Sequence, residues 1–209
     1  MSAEFHKPTK FPGDRFEAII GGEDPAQILR AAHETAQALV GHGRTTEDPE
    51  VVDRLVAYTD VHGIEALAEL WSRSSAGTLP GALWRIYLLR LMIREDPEGT
   101  SVLFQRGSEV LRTIDTAVAG AVDPTGPAEI TALADDILRG LFTGDFAVAL
   151  DRASAFSRII ASGALSVADD AEGTEPKRAS TLTTRASRLT QMAGEFAHCA
   201  RLHRGERLE

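Results

Sequence analysis

The placement of proline is the feature that most constrains how this chain can fold. Several prolines stand at the start of an apolar, periodic stretch, where a first helical turn would begin: Pro25, Pro49, Pro80, Pro97 and Pro127. Proline is tolerated there because the first turn of a helix does not use the N–H that proline lacks. The interior of a helix or of a central strand excludes it. The chain is therefore predicted to be a series of helices that start at these prolines.

Glycine and aspartate mark further ends of the predicted helices. Gly41, Gly43 and Gly63 follow apolar stretches, as helix-ending glycines do. Asp145 precedes another apolar stretch and is placed to cap its first turn. The predicted helices span residues 25–40, 49–63, 80–94, 100–119, 127–142, 145–161 and 181–204.

Apolar spacing agrees with these helices. Ile64, Leu67, Ala68 and Trp71 follow the pattern i, i+3, i+4, i+7, which is typical of one face of a helix. Residues 83–93 are apolar on nearly every face, so this helix is predicted to lie at the centre. No stretch alternates as a strand would. These patterns predict an all-α fold, a single-domain, bundle-like or orthogonal array of seven to eight helices.

The predicted core and domain organisation follow from the same patterns. The core is expected to contain Leu55, Ile64, Leu67, Trp71, Leu83, Trp84, Tyr87, Leu88, Leu91, Leu111, Ile114, Ile137, Leu141, Phe146 and Leu150. Residues 1–13 are predicted to be a mobile N-terminal segment and residues 14–165 a helical domain. Residues 166–180 are rich in Asp, Glu, Gly and Ala and are predicted to be a charged linker. Residues 181–209 follow as a C-terminal helix that packs on the domain or on a partner.

Charge and cysteine content narrow the class of protein. The formal net charge of −9 argues against a general nucleic-acid-binding protein. The acidic excess lies before residue 176, whereas lysine and arginine outnumber acidic residues after it. A single cysteine, Cys199, suits a reducing compartment. No apolar run resembles a signal peptide or is long enough to span a membrane. The sequence therefore predicts a cytoplasmic protein that does not enter a membrane.

The C-terminal helix carries the most regular pattern in the chain. Large residues and alanines alternate at heptad steps of four and three: Leu182, Ala186, Leu189, Ala193, Phe196, Ala200 and His203. One interpretation is that this seam closes the helical domain. The other is that it is a docking or dimerisation surface, for another protein or a second copy of the chain. The predicted interaction residues are Leu182, Arg185, Arg188, Leu189, Phe196 and Arg201.

Other charged or reactive residues are weaker candidates for a functional site. Arg90 and Arg94 share one face of the predicted central helix and are candidates for contact with an anion or a partner carboxylate. The alternatives are that they pair with internal acids such as Asp135 or Asp136, or that they extend into solvent at the end of the helix. Cys199 and His203 lie four residues apart, but two ligands do not make a zinc site. No metal, cofactor or catalytic residue is predicted, and the chain is expected not to be an enzyme.

Several stretches support a resemblance to a known family. They are VDRLVAYTD at 52–60, HGIEALAELWS at 62–72, LPGALWRIYL at 79–88 and FTGDFAVAL at 142–150. With these stretches, the chain resembles a family of small actinobacterial helical proteins, many of which are labelled "DNA-directed RNA polymerase subunit beta". The resemblance implies a transcription-linked or RNA-polymerase-associated role and carries no functional residues with it.

The functional prediction from the sequence is a non-catalytic protein–protein interaction or regulatory module. A transcription-associated protein is the first alternative, on the resemblance. A helical-repeat-like scaffold is another, since Gly144, Asp145 and Phe146 with the alanines that follow match about half of a tetratricopeptide repeat. An enzyme whose site residues meet only in three dimensions is the remaining alternative.

Overall fold

A computed structural model of the chain describes residues 25–41, 63–114, 126–139 and 142–209. Within these ranges the backbone forms helices and no strand. The helices are α1 (Pro25–Gly41), α2 (Ile64–Trp71), α3 (Leu79–Glu95), α4 (Pro97–Ile114), α5 (Pro127–Leu138), α6 (Phe146–Ala171) and α7 (Pro176–Arg204). The predicted all-α, bundle-like domain is confirmed. The predicted mobile segment 1–13 and the helix at 49–63 lie outside the described residues, apart from Gly63.

Proline starts the helices where the sequence predicted. Pro25, Pro80 and Pro127 each lie in the first turn of a helix, and α4 begins at Pro97, three residues before the start predicted at residue 100. The start of α3 shows the local chemistry, because the hydroxyl of Thr78 accepts a hydrogen bond from the Gly81 N–H at 3.2 Å. This bond satisfies a first-turn donor that has no partner within the helix.

The α3 helix lies at the centre, as its apolar composition predicted. It contacts α1, α2, α4, α5 and α7. Its buried side chains include Leu83, Ile86, Tyr87, Leu89 and Ile93. Because α3 is covered on several sides, most of its apolar surface is removed from water. Removal of apolar surface from water is the main favourable contribution to folding.

The predicted core is confirmed in part. The buried members are Leu67, Trp71, Leu83, Tyr87, Ile137, Phe146 and Leu150. The half-buried members are Ile64, Trp84, Leu88, Leu91 and Leu111. Leu55 and Leu141 lie outside the described residues, and so does the side chain of Ile114. The prediction missed large buried side chains of α6 and α7, among them Phe156, Ile160, Leu189 and Phe196.

The predicted charged linker at 166–180 is wrong. The α6 helix continues to Ala171, α7 begins at Pro176, and residues 172–175 join them. Ala168, Ala171 and Ala179 are buried together where the two helices meet. Packing of these small side chains holds both helices in register through the acidic stretch. The acidic side chains of this stretch are exposed to solvent.

Glycine allows α4 and α6 to approach each other closely. A Cβ atom on Gly107 would overlap the carbonyl oxygen of Ile159, and one on Gly163 would overlap the carbonyl oxygen of Leu103. Each glycine therefore lies directly against the backbone of the other helix. A salt bridge between Arg106 and Asp170, at 2.6 Å, closes the same helix pair on its exposed side.

Among the described helices, none combines the length and the apolar character that crossing a membrane requires.

Candidate interaction surface

The α7 helix is the longest described helix, with 29 residues from Pro176 to Arg204, and it extends about 43 Å. It runs antiparallel to α6, its most extensive neighbour. The hydroxyl of Ser154 on α6 donates a hydrogen bond of 2.8 Å to the Ala193 carbonyl in the buried interface. Ser154 was not predicted from the sequence, because an isolated serine among alanines carries no distinctive pattern.

The heptad seam of α7 packs on the chain itself. Leu189 and Phe196 are buried, Leu182 is half-buried, and the alanines between them are buried as well. Because small residues alternate with large ones, α7 lies close against α6. In this structure the seam closes the bundle, which was one of the two interpretations. Leu189 and Phe196 are therefore not exposed to a partner.

The predicted interaction arginines lie in different environments. Arg185 is half-buried and forms an ion pair of 3.6 Å with Asp96, next to a hydrogen bond of 3.4 Å to the Thr100 hydroxyl. Arg188 and Arg201 are exposed, and neither forms an ion pair with any residue in the described part of the chain. Arg185 thus joins α7 to α4, whereas the other two face solvent.

A second row of residues runs along α7 opposite the seam. We call it the outer strip, and its members step by four and three residues: Ser180, Thr184, Ser187, Gln191, Gly194, His198 and Arg201. All of them are exposed. The strip spans about 32 Å. Most of its side chains are short, so another helix could approach the backbone of α7 closely.

The charge along the outer face of α7 is positive. Glu195 is the only acidic residue between Pro176 and Arg204, and Arg85 of α3 pairs with it. Burial opposes ionisation of Glu195, but hydrogen bonds from Arg85 and Gln191 outweigh it, so its pKa lies below the ordinary value. Glu195 is therefore charged and already neutralised at neutral pH. Arg188 and Arg201 are exposed and have no acidic partner in the described ranges.

The other predicted contact residues are explained within the fold. Arg90 forms an ion pair with Asp135 of α5, which is the internal alternative named from the sequence. Arg94 lies exposed in the last turn of α3. A cation there interacts favourably with the negative end of the helix dipole.

Cys199 is a buried thiol that donates a hydrogen bond of 3.0 Å to the Ala76 carbonyl. Burial raises the pKa of this thiol to about 11, so it stays protonated and unreactive at neutral pH. No group of three or more His, Cys, Asp or Glu residues in the described ranges could hold a metal ion. An apolar cleft between α3, α5 and α6, around Ile86 and Ile137, has room for about one water molecule.

Comparisons with protein-family models, curated proteins and solved structures found no match to this chain. Its function is therefore inferred from the residues and geometry of the chain alone. Of the predicted interaction residues, Arg188 and Arg201 are exposed; Arg201 belongs to the outer strip and Arg188 lies beside it. The outer strip itself was missed, although its heptad steps can be read in the sequence.

Proposed function

We propose that the protein is a non-catalytic binding module, and that the outer strip of α7 docks on an acidic surface of another protein. The observation that supports this proposal is an exposed face of α7 about 32 Å long that carries Arg201 and is flanked by Arg188. Neither arginine forms an ion pair with an acidic residue in the described ranges. Such a face attracts an acidic partner and disfavours basic ones, because like charges brought together are repelled.

The geometry supports a helical partner. Arg188 and Arg201 are 13 residues apart, which places them about 20 Å from each other along the axis of α7. Between them lie Gln191, Gly194 and His198. A Cβ atom added at Gly194 would meet no other heavy atom within 4 Å, so the surface is open there. Their side chains leave α7 about 140° apart around its axis, so the two arginines lie on either side of the centre line of the strip. A partner helix whose backbone approaches Gly194 would therefore meet one arginine on each of its sides.

A site-specific cross-linking experiment tests the proposal. A photo-cross-linking amino acid replaces Gln191 in the outer strip, and a control protein carries it at Val148, an exposed position on α6. Both are irradiated in a native lysate, and the adducts are identified by mass spectrometry. We expect a discrete adduct with an acidic protein from position 191 only, and we expect its yield to fall as salt concentration rises.

Charge-reversal variants provide the matched control. The double variant Arg188→Glu and Arg201→Glu should abolish the adduct. Arg152→Glu and Arg158→Glu, which reverse two exposed arginines of α6, should leave it unchanged. No adduct, equal adducts from both positions, or equal loss in both double variants would overturn the proposal. An adduct between two copies of the chain would mean that the outer strip mediates self-association, and the proposal of an acidic partner would be wrong.

A transcription-associated role is the second candidate, because four stretches of the chain resemble the actinobacterial family labelled as RNA polymerase subunit. The same experiment addresses it directly. If the adduct from position 191 contains a subunit of RNA polymerase, the binding module acts in transcription. If the adduct contains only proteins unrelated to transcription, this candidate fails while the binding function stands.

A further inference from the structure

Residues 205–209 turn back at the end of α7. The Glu206 N–H donates to the His203 carbonyl at 3.0 Å, and the Arg207 N–H donates to the Leu202 carbonyl at 2.9 Å. Glu206 has a φ of 53°, in the left-handed region. This is the usual way for a helix to end, but glycine normally occupies the left-handed position because a Cβ atom there is unfavourable. The turn is therefore under local backbone strain.

The far end of this segment reaches the start of α3. The Leu79 N–H donates a hydrogen bond of 2.6 Å to the main-chain oxygen of Glu209. Leu208, one residue earlier, packs half-buried against the main core. The segment thus bridges the end of α7 and the first turn of α3.

The bond to Glu209 completes the cap of α3. Proline at position 80 has no N–H, and Thr78 accepts hydrogen bonds from Gly81 through its hydroxyl and from Ala82 through its carbonyl. The Leu79 N–H is the remaining first-turn donor, and Leu79 is buried. A buried donor without a partner is unfavourable, so the hydrogen bond from Leu79 to the main-chain oxygen of Glu209 stabilises the start of α3.

We infer that residues 205–209 form a strap that opens and closes over the start of α3 while the helices stay folded. The closed form is held by Leu208 and by the bond from Leu79 to Glu209. The left-handed backbone at Glu206 favours the open form. When the strap opens, the first turn of α3 and the part of the core that Leu208 covers become accessible to solvent or to a partner. This inference does not depend on the function proposed for the outer strip.

Hydrogen exchange at single amides, measured by NMR, tests the strap. The Leu79 amide should exchange faster than the amide of Leu150, which is buried in α6, because only the first is exposed by local opening. Glu206→Gly should slow exchange at Leu79 by about fivefold, since it removes the unfavourable Cβ contact. Leu208→Ala should speed exchange at Leu79. Neither substitution should change exchange at Leu150.

Glu206→Ala is the matched control, because it removes the carboxylate and keeps the Cβ atom. It should leave exchange at Leu79 close to that of the original protein. If Glu206→Ala slows exchange as much as Glu206→Gly, backbone strain is not what favours the open form, and the inference is wrong. It is also wrong if Leu79 and Leu150 exchange at the same rate, or change together in every variant, since the strap would then open only on global unfolding.

Discussion

Two regions of the molecule are packed in different ways. Around α3, the helices meet through large side chains, such as Trp71, Leu83 and Ile137. Around α6, large side chains such as Phe156 and Phe196 are buried as well, but glycine and alanine, such as the completely buried Ala164, bring the backbones of α4 and α7 close to α6. The first region is therefore expected to be most sensitive to the loss of side-chain volume, and the second to its addition.

The difference also explains where the candidate surface lies. Because α7 packs on α6 through one seam in which large residues and alanines alternate, the opposite face of this long helix stays exposed. The α3 helix, which is covered by five neighbours, has no such free face among the described residues. A helix held on one side only is the better place for a binding surface.

The largest effect is expected from truncating a core residue of the α3 region. Leu83 is completely buried, so Leu83→Ala should lower the free energy of unfolding by about 2–5 kcal/mol. Leu88→Ala, further along α3, is the control. Because the Leu88 side chain is only half-buried, this substitution should lower the free energy of unfolding by less than Leu83→Ala does. Urea denaturation of both variants measures the difference. An equal loss in the two would mean that the region is not packed as described.

The next largest effect is expected from adding a methyl group in the α6 region. Gly107→Ala places a Cβ atom against the Ile159 carbonyl of α6, and we expect a loss of about 1–3 kcal/mol. Gly194→Ala adds the same group on the outer strip of α7, where nothing lies within 4 Å. That variant should gain about 0.5–1 kcal/mol from helix propensity. The midpoint of thermal unfolding should fall for Gly107→Ala and rise for Gly194→Ala. A shift in the same direction for both variants would contradict the comparison.

The smallest effect concerns the ion pair that joins the two regions, Arg85 of α3 with Glu195 of α7. The pKa of Glu195 lies below its ordinary value of 4.5. Its contribution to stability is therefore present above that pH and is lost as the pH falls through the folded-state pKa. Glu195→Gln should cost about 1 kcal/mol at neutral pH and progressively less as the carboxylate becomes protonated.

Unfolding curves of the two proteins from neutral to acidic pH measure this trend. In an Arg85→Gln background, the same Glu195→Gln substitution should show a smaller dependence on pH, because the main partner of the carboxylate is gone. The original protein and the Glu195→Gln variant differ in their free energy of unfolding. If this difference stays constant as the carboxylate is protonated, or grows as the pH falls, the ion pair does not stabilise the contact between the two regions.

Local sequence signals predicted the helix starts well and their ends less well. Pro97 and Pro127 start helices because proline acts within one turn, through its own ring and its missing N–H. Pro176 starts α7 for the same reason, but the acidic residues around it suggested a linker. What extends the helices there is the packing of Ala171 on Ala179, a contact between two helices that composition does not reveal.

The candidate surface could be predicted in part. The heptad spacing of Leu189 and Phe196 predicted one apolar face of α7, but the partner of that face was left open. Arg185 and Arg188 look alike in the sequence, yet one pairs with Asp96 and the other is exposed. The strap was not predicted at all, since a glutamate in the left-handed region has no sequence signature.

The sequence by itself determined the helical class, several helix starts and the apolar face of α7, because these depend on interactions within one or two helical turns. Only the tertiary structure decided that this face packs on α6, that Arg85 neutralises Glu195, and that Leu79 bonds to Glu209. These contacts join residues far apart in the chain. They depend on how whole helices pack, and the spacing of residues along one helix carries no information about its neighbour.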